Sequence, residues 1–322
     1  MSITAIREFI SADMQSVDHI IRQSLHSDVA LIGQVAEHII AAGGKRLRPV
    51  LVILSARALS YEGQQHYDLA AVIEFIHTAT LLHDDVVDES SLRRGKPTSN
   101  SLFGNAASVL VGDFVYSRAF QMMVNVGDMK ILQVLADATN VIAEGEVLQL
   151  MNCRNPQTTE QEYLKVIHCK TAKLFEAATR IGALLAKAPL TTVEAMSRYG
   201  AHLGLAFQLI DDVLDYSGDE ALIGKSLGDD LAEGKPTLPL IHVMRHGNPI
   251  QVAAVQAAIR GGGLEELPLV LEAIHSTGAL EYVREKAFVQ VHLAKQELAC
   301  LAPGRERDFL LQLADFSASR GF

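Results

Sequence analysis

The chain has 322 residues, long for one ordinary domain but within reach of a large helical one. Hydrophobic residues make up 49% and charged residues 20%, so a sizeable core can form and a disordered chain is excluded. The net charge of −10 leaves no dominant basic face, which argues against nucleic acid as a partner.

From the N-terminus, Met1-Ser2-Ile3-Thr4-Ala5-Ile6-Arg7-Glu8 lacks the apolar stretch of a signal peptide. No apolar run in the chain reaches the ~18 residues of a membrane span. Helix-type periodicity dominates, and aromatic residues are only 6%, which disfavours strands. The pattern predicts helices at 3–24, 28–42, 47–60, 65–90, 105–126, 128–151 and 159–186. Further helices are predicted at 191–217, 221–231, 236–246, 250–261, 265–276, 278–300 and 304–319. Gly43-Gly44 ends one helix, and residues 91–100, with Gly95 and Pro97, read as a loop. Thr158 or Thr159 caps the helix that follows, with Glu162 in capping-box position. Residues 217–237 form a long polar stretch punctuated by glycines. No low-complexity linker divides the chain, so 1–322 reads as a single all-α domain. Cys153, Cys169 and Cys300 form no CxxC pair and read as reduced thiols of a cytoplasmic protein.

Two aspartate motifs of one form stand at the ends of apolar helical stretches: Asp84-Asp85-Val86-Val87-Asp88 and Asp211-Asp212-Val213-Leu214-Asp215. Residues i and i+4 share a helix face, so Asp84 projects with Asp88 and Asp211 with Asp215. Paired carboxylates repel, and apolar surroundings raise the cost of their charge. They need a cation, and oxygen-only ligands point to Mg²⁺, with Mn²⁺ as a substitute. Such an ion is commonly shared with substrate phosphates, and phosphate-binding groups accompany the motifs. Arg93 and Arg94 follow the first motif on the loop, where guanidinium matches phosphate with paired donors. Gly43-Gly44-Lys45-Arg46-Leu47-Arg48-Pro49 places three cations at a helix start, where free N–H groups favour anions. Lys225 and Lys235 flank the second motif downstream.

Together these segments resemble the trans-isoprenyl (polyprenyl) diphosphate synthase family, in its long-chain bacterial branch. The matching stretches are 43–49 (GGKRLRP), 74–95 (EFIHTATLLHDDVVDESSLRRG), Gly112-Asp113, 170–175 (KTAKLF), 204–216 (GLAFQLIDDVLDY) and 228–239 (GDDLAEGKPTLP). Residues 241–322 carry no recognised motif. The resemblance implies one large helical bundle around a deep central cavity, working as a homodimer. It implies repeated addition of isopentenyl diphosphate to an allylic prenyl diphosphate, with farnesyl diphosphate as primer and a quinone side chain as the use.

Roles carried over by the resemblance make Asp84, Asp88 and Asp211 Mg²⁺ ligands bridging to the allylic diphosphate. Asp85, Asp212 and Asp215 complete or support those shells, although Asp85 lies about 100° off the Asp84 face. Arg93, Lys170, Thr171 and Lys225 meet the allylic diphosphate, Lys170 also acting in catalysis. Lys45, Arg48, His77 and Arg94 hold isopentenyl diphosphate, His77 lying two turns before Asp84. Gln208 lines the pocket near the reacting carbons. Ile76, Ala79 and Thr80 face the growing tail, and the small Ala79 and Thr80 leave its path open. Phe120-Gln121-Met122-Met123 either lines the deeper channel or is ordinary core. The expected product has seven to nine isoprene units, eight being favoured by the overall resemblance; a short-chain product is the further alternative. Two rivals are a cyclase on the same fold and a non-catalytic partner subunit. The second aspartate motif with the Gly-Gly-Lys segment opposes the first, and retention of all six aspartates opposes the second.

Overall fold

The computed structural model describes residues 3–41, 43–217, 227–261 and 265–319. These are helical almost throughout, and among them only Leu92–Arg93 and Lys96–Pro97 are strands. The chain divides into two compact units. The first comprises Met1–Thr139, Leu174–Gly200 and Glu297–Leu313; the second comprises Asn140–Lys173, Ala201–Gln296 and Ala314–Phe322.

The first unit holds α1 (Ile3–Phe9), α2 (Ser11–Ser24), α3 (Ala30–Ala41), α4 (Leu47–Ala58) and α5 (Gln65–Val87). The short strands β1 (Leu92–Arg93) and β2 (Lys96–Pro97) follow, then α6 (Ser99–Phe103) and α7 (Asn105–Val126). The first part of α8 (Met129–Asn152) completes this run. Helix α4 is enclosed from Pro49 to Ala56, and α5 packs against α2, α4 and α7. Leu51, Ile53, Leu54, Leu69, Ile73 and Ile76 have no exposed surface. Each such side chain contributes roughly 1.5–3 kcal/mol when fully buried. The His83 ring of α5 lies over Gly112 of α7, where a Cβ would stand 2.4 Å from its Nε2, and the same nitrogen meets the Val109 carbonyl at 3.2 Å.

The second unit holds the end of α8, then α9 (Glu160–Ile167) and a π-turn at His168–Ala172; α10 (Lys173–Leu185) follows and from Leu174 on belongs to the first unit. Helix α11 (Leu190–Ser217) begins in the first unit and ends in this one. Beyond it come α12 (Asp229–Ala232), α13 (Leu238–His246), α14 (Pro249–Gly261), α15 (Leu267–Ser276) and α16 (Ala279–Glu297). Leu298–Cys300 forms a 3₁₀ turn, and α17 (Arg305–Ser319) closes the chain. The motif-free segment from 241 on supplies Val243, Val255, Ile259, Val270 and Ile274 to a core that also takes Tyr216, Leu231 and Leu240. It also braces α9. Glu160, in the first turn, accepts from Tyr282 Oη at 2.8 Å and pairs with Lys286 at 3.0 Å and Arg245 at 3.1 Å.

Several sequence expectations change, beginning with the helix predicted over 3–24, which breaks at Ile10 between α1 and α2. The predicted loop at 91–100 contains a hairpin, in which Arg94 (φ 54°) and Gly95 (φ 73°) make the two-residue turn with both φ positive. The helix predicted over 159–186 is interrupted by the π-turn, which inserts one residue. Of the helix predicted at 221–231, only Asp229 onward lies in a described helix; residues 221–226 fall outside the described part. The capping box is as expected, with Thr159 the cap: its N–H donates to Glu162 Oε2 at 2.8 Å. Among the described residues, no helix is long and apolar enough to cross a membrane.

Candidate active site

In the first unit, Asp84 and Asp85 lie in the last turn of α5 and Asp88 is its C-cap, still in right-handed conformation. The Asp88 N–H donates to the Asp84 carbonyl at 2.8 Å, so the two side chains share a face. Three carboxylates thus sit at the negative end of the helix dipole, which adds to their mutual repulsion. Asp85 turns inward and is 1% exposed. Arg93 of β1 donates to its Oδ1 from Nε at 2.8 Å and from Nη2 at 2.6 Å. Burial raises the Asp85 pKa, against the pull of Arg93. Asp85 is therefore held by a guanidinium rather than solvated.

Arg94, at the hairpin tip, reaches the Gly43-Gly44 segment. A Cβ on Gly44 would lie 2.8 Å from Arg94 Nη1, so only glycine leaves the guanidinium its place. Arg46 caps α4 in left-handed conformation (φ 51°) and pairs with Glu74 at 2.7 Å. Arg48, in the first turn of α4, lies over the Phe175 ring at 4.5 Å. Lys45 is exposed. His77 is half-buried on α5. Burial first, and then the charges of Arg48, Arg94, Arg93 and Arg46, hold its pKa well below the usual imidazole range. A neutral imidazole among four guanidinium groups is a setting for an anion.

On α5, Ile76 and Ala79 are wholly enclosed, whereas Thr80 is half-buried with its hydroxyl donating to the His77 carbonyl at 2.8 Å. Thr80 precedes Asp84 by four residues and shares its face; Ala79 lies about 140° away. Met122 and Met123 of α7 are buried, Phe120 is half-buried and Gln121 is exposed.

In the second unit, Asp211, Asp212 and Asp215 occupy the last two turns of α11, again at a negative dipole end. Asp212 is 1% exposed and both its oxygens take donors: Tyr163 Oη at 2.5 Å and Gln208 Nε2 at 2.9 Å. Burial, reinforced by the charge of Asp230, pushes the Asp212 carboxyl up to about 8. Asp215 is buried, and its Oδ2 accepts the Asp230 N–H at 3.3 Å. Thr171, in the π-turn, donates to Gln208 Oε1 at 2.9 Å. A hydrogen-bonded row therefore runs Thr171, Gln208, Asp212, Tyr163. Lys170, in the same turn, pairs with Glu146 of α8 at 2.6 Å. Lys235 pairs with Glu233. Lys225 lies outside the described residues.

Sequence reasoning missed Tyr163, Glu146, Glu74 and Asp230. Glu74 and Asp230 stand within the matching stretches without a role, and Tyr163 left a trace as a polar tip seven residues before Lys170 on an otherwise apolar face. Among the described residues, no three aspartate, glutamate, histidine or cysteine side chains converge closely enough to hold a metal by themselves.

The sequence pattern of the polyprenyl synthetase family matches residues 29–274. The chain is 51% identical to octaprenyl diphosphate synthase of Escherichia coli (strain K12), over 99% of both chains. It is 44% identical to an all-trans-nonaprenyl-diphosphate synthase (geranyl-diphosphate specific) of Rhodobacter capsulatus, over 97% of this chain and 96% of the relative. The crystal structure of polyprenyl synthase from Caulobacter crescentus CB15, complexed with calcium and isoprenyl diphosphate, superposes with a TM-score of 0.96 at 45% identity. It covers 100% of this chain and 98% of that one. Its all-helical fold, its paired aspartate motifs and these likenesses place the chain in the polyprenyl synthetase family, as a prenyltransferase.

Proposed function

We propose that this protein is a long-chain all-trans-polyprenyl diphosphate synthase. It extends farnesyl diphosphate with isopentenyl diphosphate to octaprenyl diphosphate, for a quinone side chain. The observation that carries this reading is the 51% identity to the octaprenyl enzyme over 99% of both chains. A nine-unit product is the second reading, favoured by the 44% identity to the nonaprenyl enzyme.

The donors suit a hard divalent ion: oxygen-only side chains, paired on one face at two helix ends. Mg²⁺ takes a few carboxylates and completes its shell with phosphate and water, so a protein-only cage is not required. Asp84, Asp88 and Asp211 would hold it, with Asp215 in support and Mn²⁺ as substitute. When bound, the ion supplies the charge that lets carboxylates meet a diphosphate and stabilises that group as it leaves.

The remaining work falls to the chain's own side chains. Arg93, Lys170, Thr171 and Lys225 bind the allylic diphosphate, and the cations offset charge developing on it. Lys45, Arg48, Arg94 and neutral His77 hold isopentenyl diphosphate so that its double bond faces the allylic carbon. Gln208, fixed between Thr171 and Asp212, orients the pocket wall near the reacting carbons. No side chain is assigned as base; the departing diphosphate takes the proton. Apolar residues keep water from the allylic cation. Thr80, Ala79 and Ile76 set how far the tail advances along α5.

Residues 1–322 act as one catalytic domain. The chain passes repeatedly between the two units, so neither is a contiguous segment that could be detached. We assign a homodimer in the cytoplasm, in keeping with the family resemblance and with three cysteines that form no disulfide. Purified protein incubated with Mg²⁺, farnesyl diphosphate and labelled isopentenyl diphosphate tests the reading. Chromatography of the dephosphorylated product should show eight units. Nine units would move the assignment to the second reading, and no chain extension would overturn both.

A further inference from the structure

The turn that carries Lys170 and Thr171 is not a regular helix. In an α-helix, residues eight apart differ by about 80° in direction. Yet Tyr163 and Thr171, eight apart, both meet α11, at Asp212 and Gln208, which are themselves one turn apart. The residue inserted by the π-turn at His168–Ala172 brings them onto one face. Lys170, one position earlier, is turned to another neighbour, α8.

Helix α8 meets this turn at Gly145, which is buried. A Cβ there would lie 2.7 Å from Cys169 Cβ, 2.8 Å from Lys170 N and 3.0 Å from the Cys169 carbonyl carbon. None of these atoms is the free end of a flexible side chain, so none can step aside alone. The widened turn fits against α8 only because position 145 has no side chain. The next residue, Glu146, takes the Lys170 ammonium at 2.6 Å, with 29% and 20% of the two side chains exposed. This contact removes much of the freedom of the Lys170 side chain and fixes the direction of its ammonium.

We propose that Gly145 and Glu146 are positioning residues of the allylic site: Gly145 admits the π-turn, and Glu146 aims Lys170 at the diphosphate. Neither touches substrate. The proposal rests on the reading that Lys170 binds the allylic diphosphate.

The test uses full-length protein and a non-reactive thiolodiphosphate analogue of the allylic substrate, with Mg²⁺. Binding of the analogue and the KM for each substrate are measured for Gly145→Ala, Glu146→Ala, Glu146→Gln, Lys170→Ala and the Glu146→Ala/Lys170→Ala double variant. Circular dichroism and thermal melting report folding. Gly145→Ala should weaken the analogue by roughly tenfold or more and leave the KM for isopentenyl diphosphate within about twofold. Glu146→Ala should weaken it by roughly tenfold, and Glu146→Gln, which keeps an acceptor, by less. In the Lys170→Ala background, Glu146→Ala should add nothing, because it acts through Lys170. Should Gly145→Ala not fold, the Glu146 series decides alone. Wild-type binding by Gly145→Ala or Glu146→Ala beside a weakened Lys170→Ala overturns the inference and spares the reading. So does an equal rise in both KM values, or additive losses in the double variant. Unchanged binding by Lys170→Ala overturns the reading and the inference with it.

Discussion

Asp85 and Arg93 should act as one unit in allylic binding. Asp85→Ala removes the acceptor of two guanidinium hydrogen bonds, at 2.8 and 2.6 Å, from a site that is 1% exposed. A hydrogen bond to a charged group contributes about 1.5–3 kcal/mol. The two share one oxygen and are not additive, and the Arg93 side chain is 25% exposed, so water replaces part of the loss. The net expectation is about 2 kcal/mol lost from the held position of Arg93, which bounds the rise in the allylic KM at roughly thirtyfold. Asp85→Asn keeps the oxygen and should lose less. Arg93→Ala should weaken binding by a similar factor, and it should cost more stability, because it leaves a buried carboxylate beside Asp84 and Asp88 without its cation. The assay is a double-mutant cycle on analogue binding, with urea unfolding alongside. The double variant should bind about as poorly as the worse single variant. Losses that simply add would show that Arg93 reaches the diphosphate without help from Asp85, and the reasoning would fail.

Chelation of metal-stripped enzyme should abolish turnover, and Asp84→Ala or Asp211→Ala should lower kcat by roughly a thousandfold or more with the fold retained; full activity in chelator would refute this. Arg48→Ala and His77→Ala should mainly raise the KM for isopentenyl diphosphate, and Lys170→Ala that for the allylic substrate, each by roughly tenfold or more; the opposite split would reverse the assignment of the sites. The folded state holds His77 below the imidazole value of 6.5, so the unfolded chain takes up the proton first and stability is lost as pH falls below 6.5. Urea unfolding of His77→Gln should lose less over that window, and an identical pH slope would remove His77 as the cause. Ala79→Tyr should stay active and release products of about three to five units, on the reading that the tail passes position 79, one turn from the metal ligands; an unchanged long product would place the channel elsewhere.

Most helices were legible because their signals are local and repeated. Apolar periodicity marked α5, α7 and α11, and the Thr159–Glu162 box fixed the start of α9. The hairpin at Leu92–Pro97 was not legible, since two-residue strands carry no period and the Arg94-Gly95 turn looks like any polar loop. The π-turn left no mark either. It is imposed by packing, where Gly145 makes room for it and Gln208 and Asp212 receive Thr171 and Tyr163. Of the site, charges announced themselves and their partners did not. Arg93 stood out in sequence, but its bond to Asp85 depends on the hairpin fold-back. Ala79 and Thr80 read alike as small residues, and only burial separates an enclosed methyl from a half-open hydroxyl.

The two aspartate motifs look interchangeable in sequence, yet their middle residues meet opposite environments. Asp85 is held by a guanidinium, which suits an ionised carboxylate. Asp212 is held by the neutral donors Tyr163 and Gln208, with Asp230 nearby adding negative charge. Both motifs lie at the negative end of a helix dipole, which adds to the repulsion at each. Arg93 neutralises part of the charge at Asp85, whereas Asp212 takes its hydrogen bonds from the uncharged Tyr163 and Gln208. Asp85→Asn should therefore cost an ion pair, and Asp212→Asn only hydrogen bonds to neutral donors.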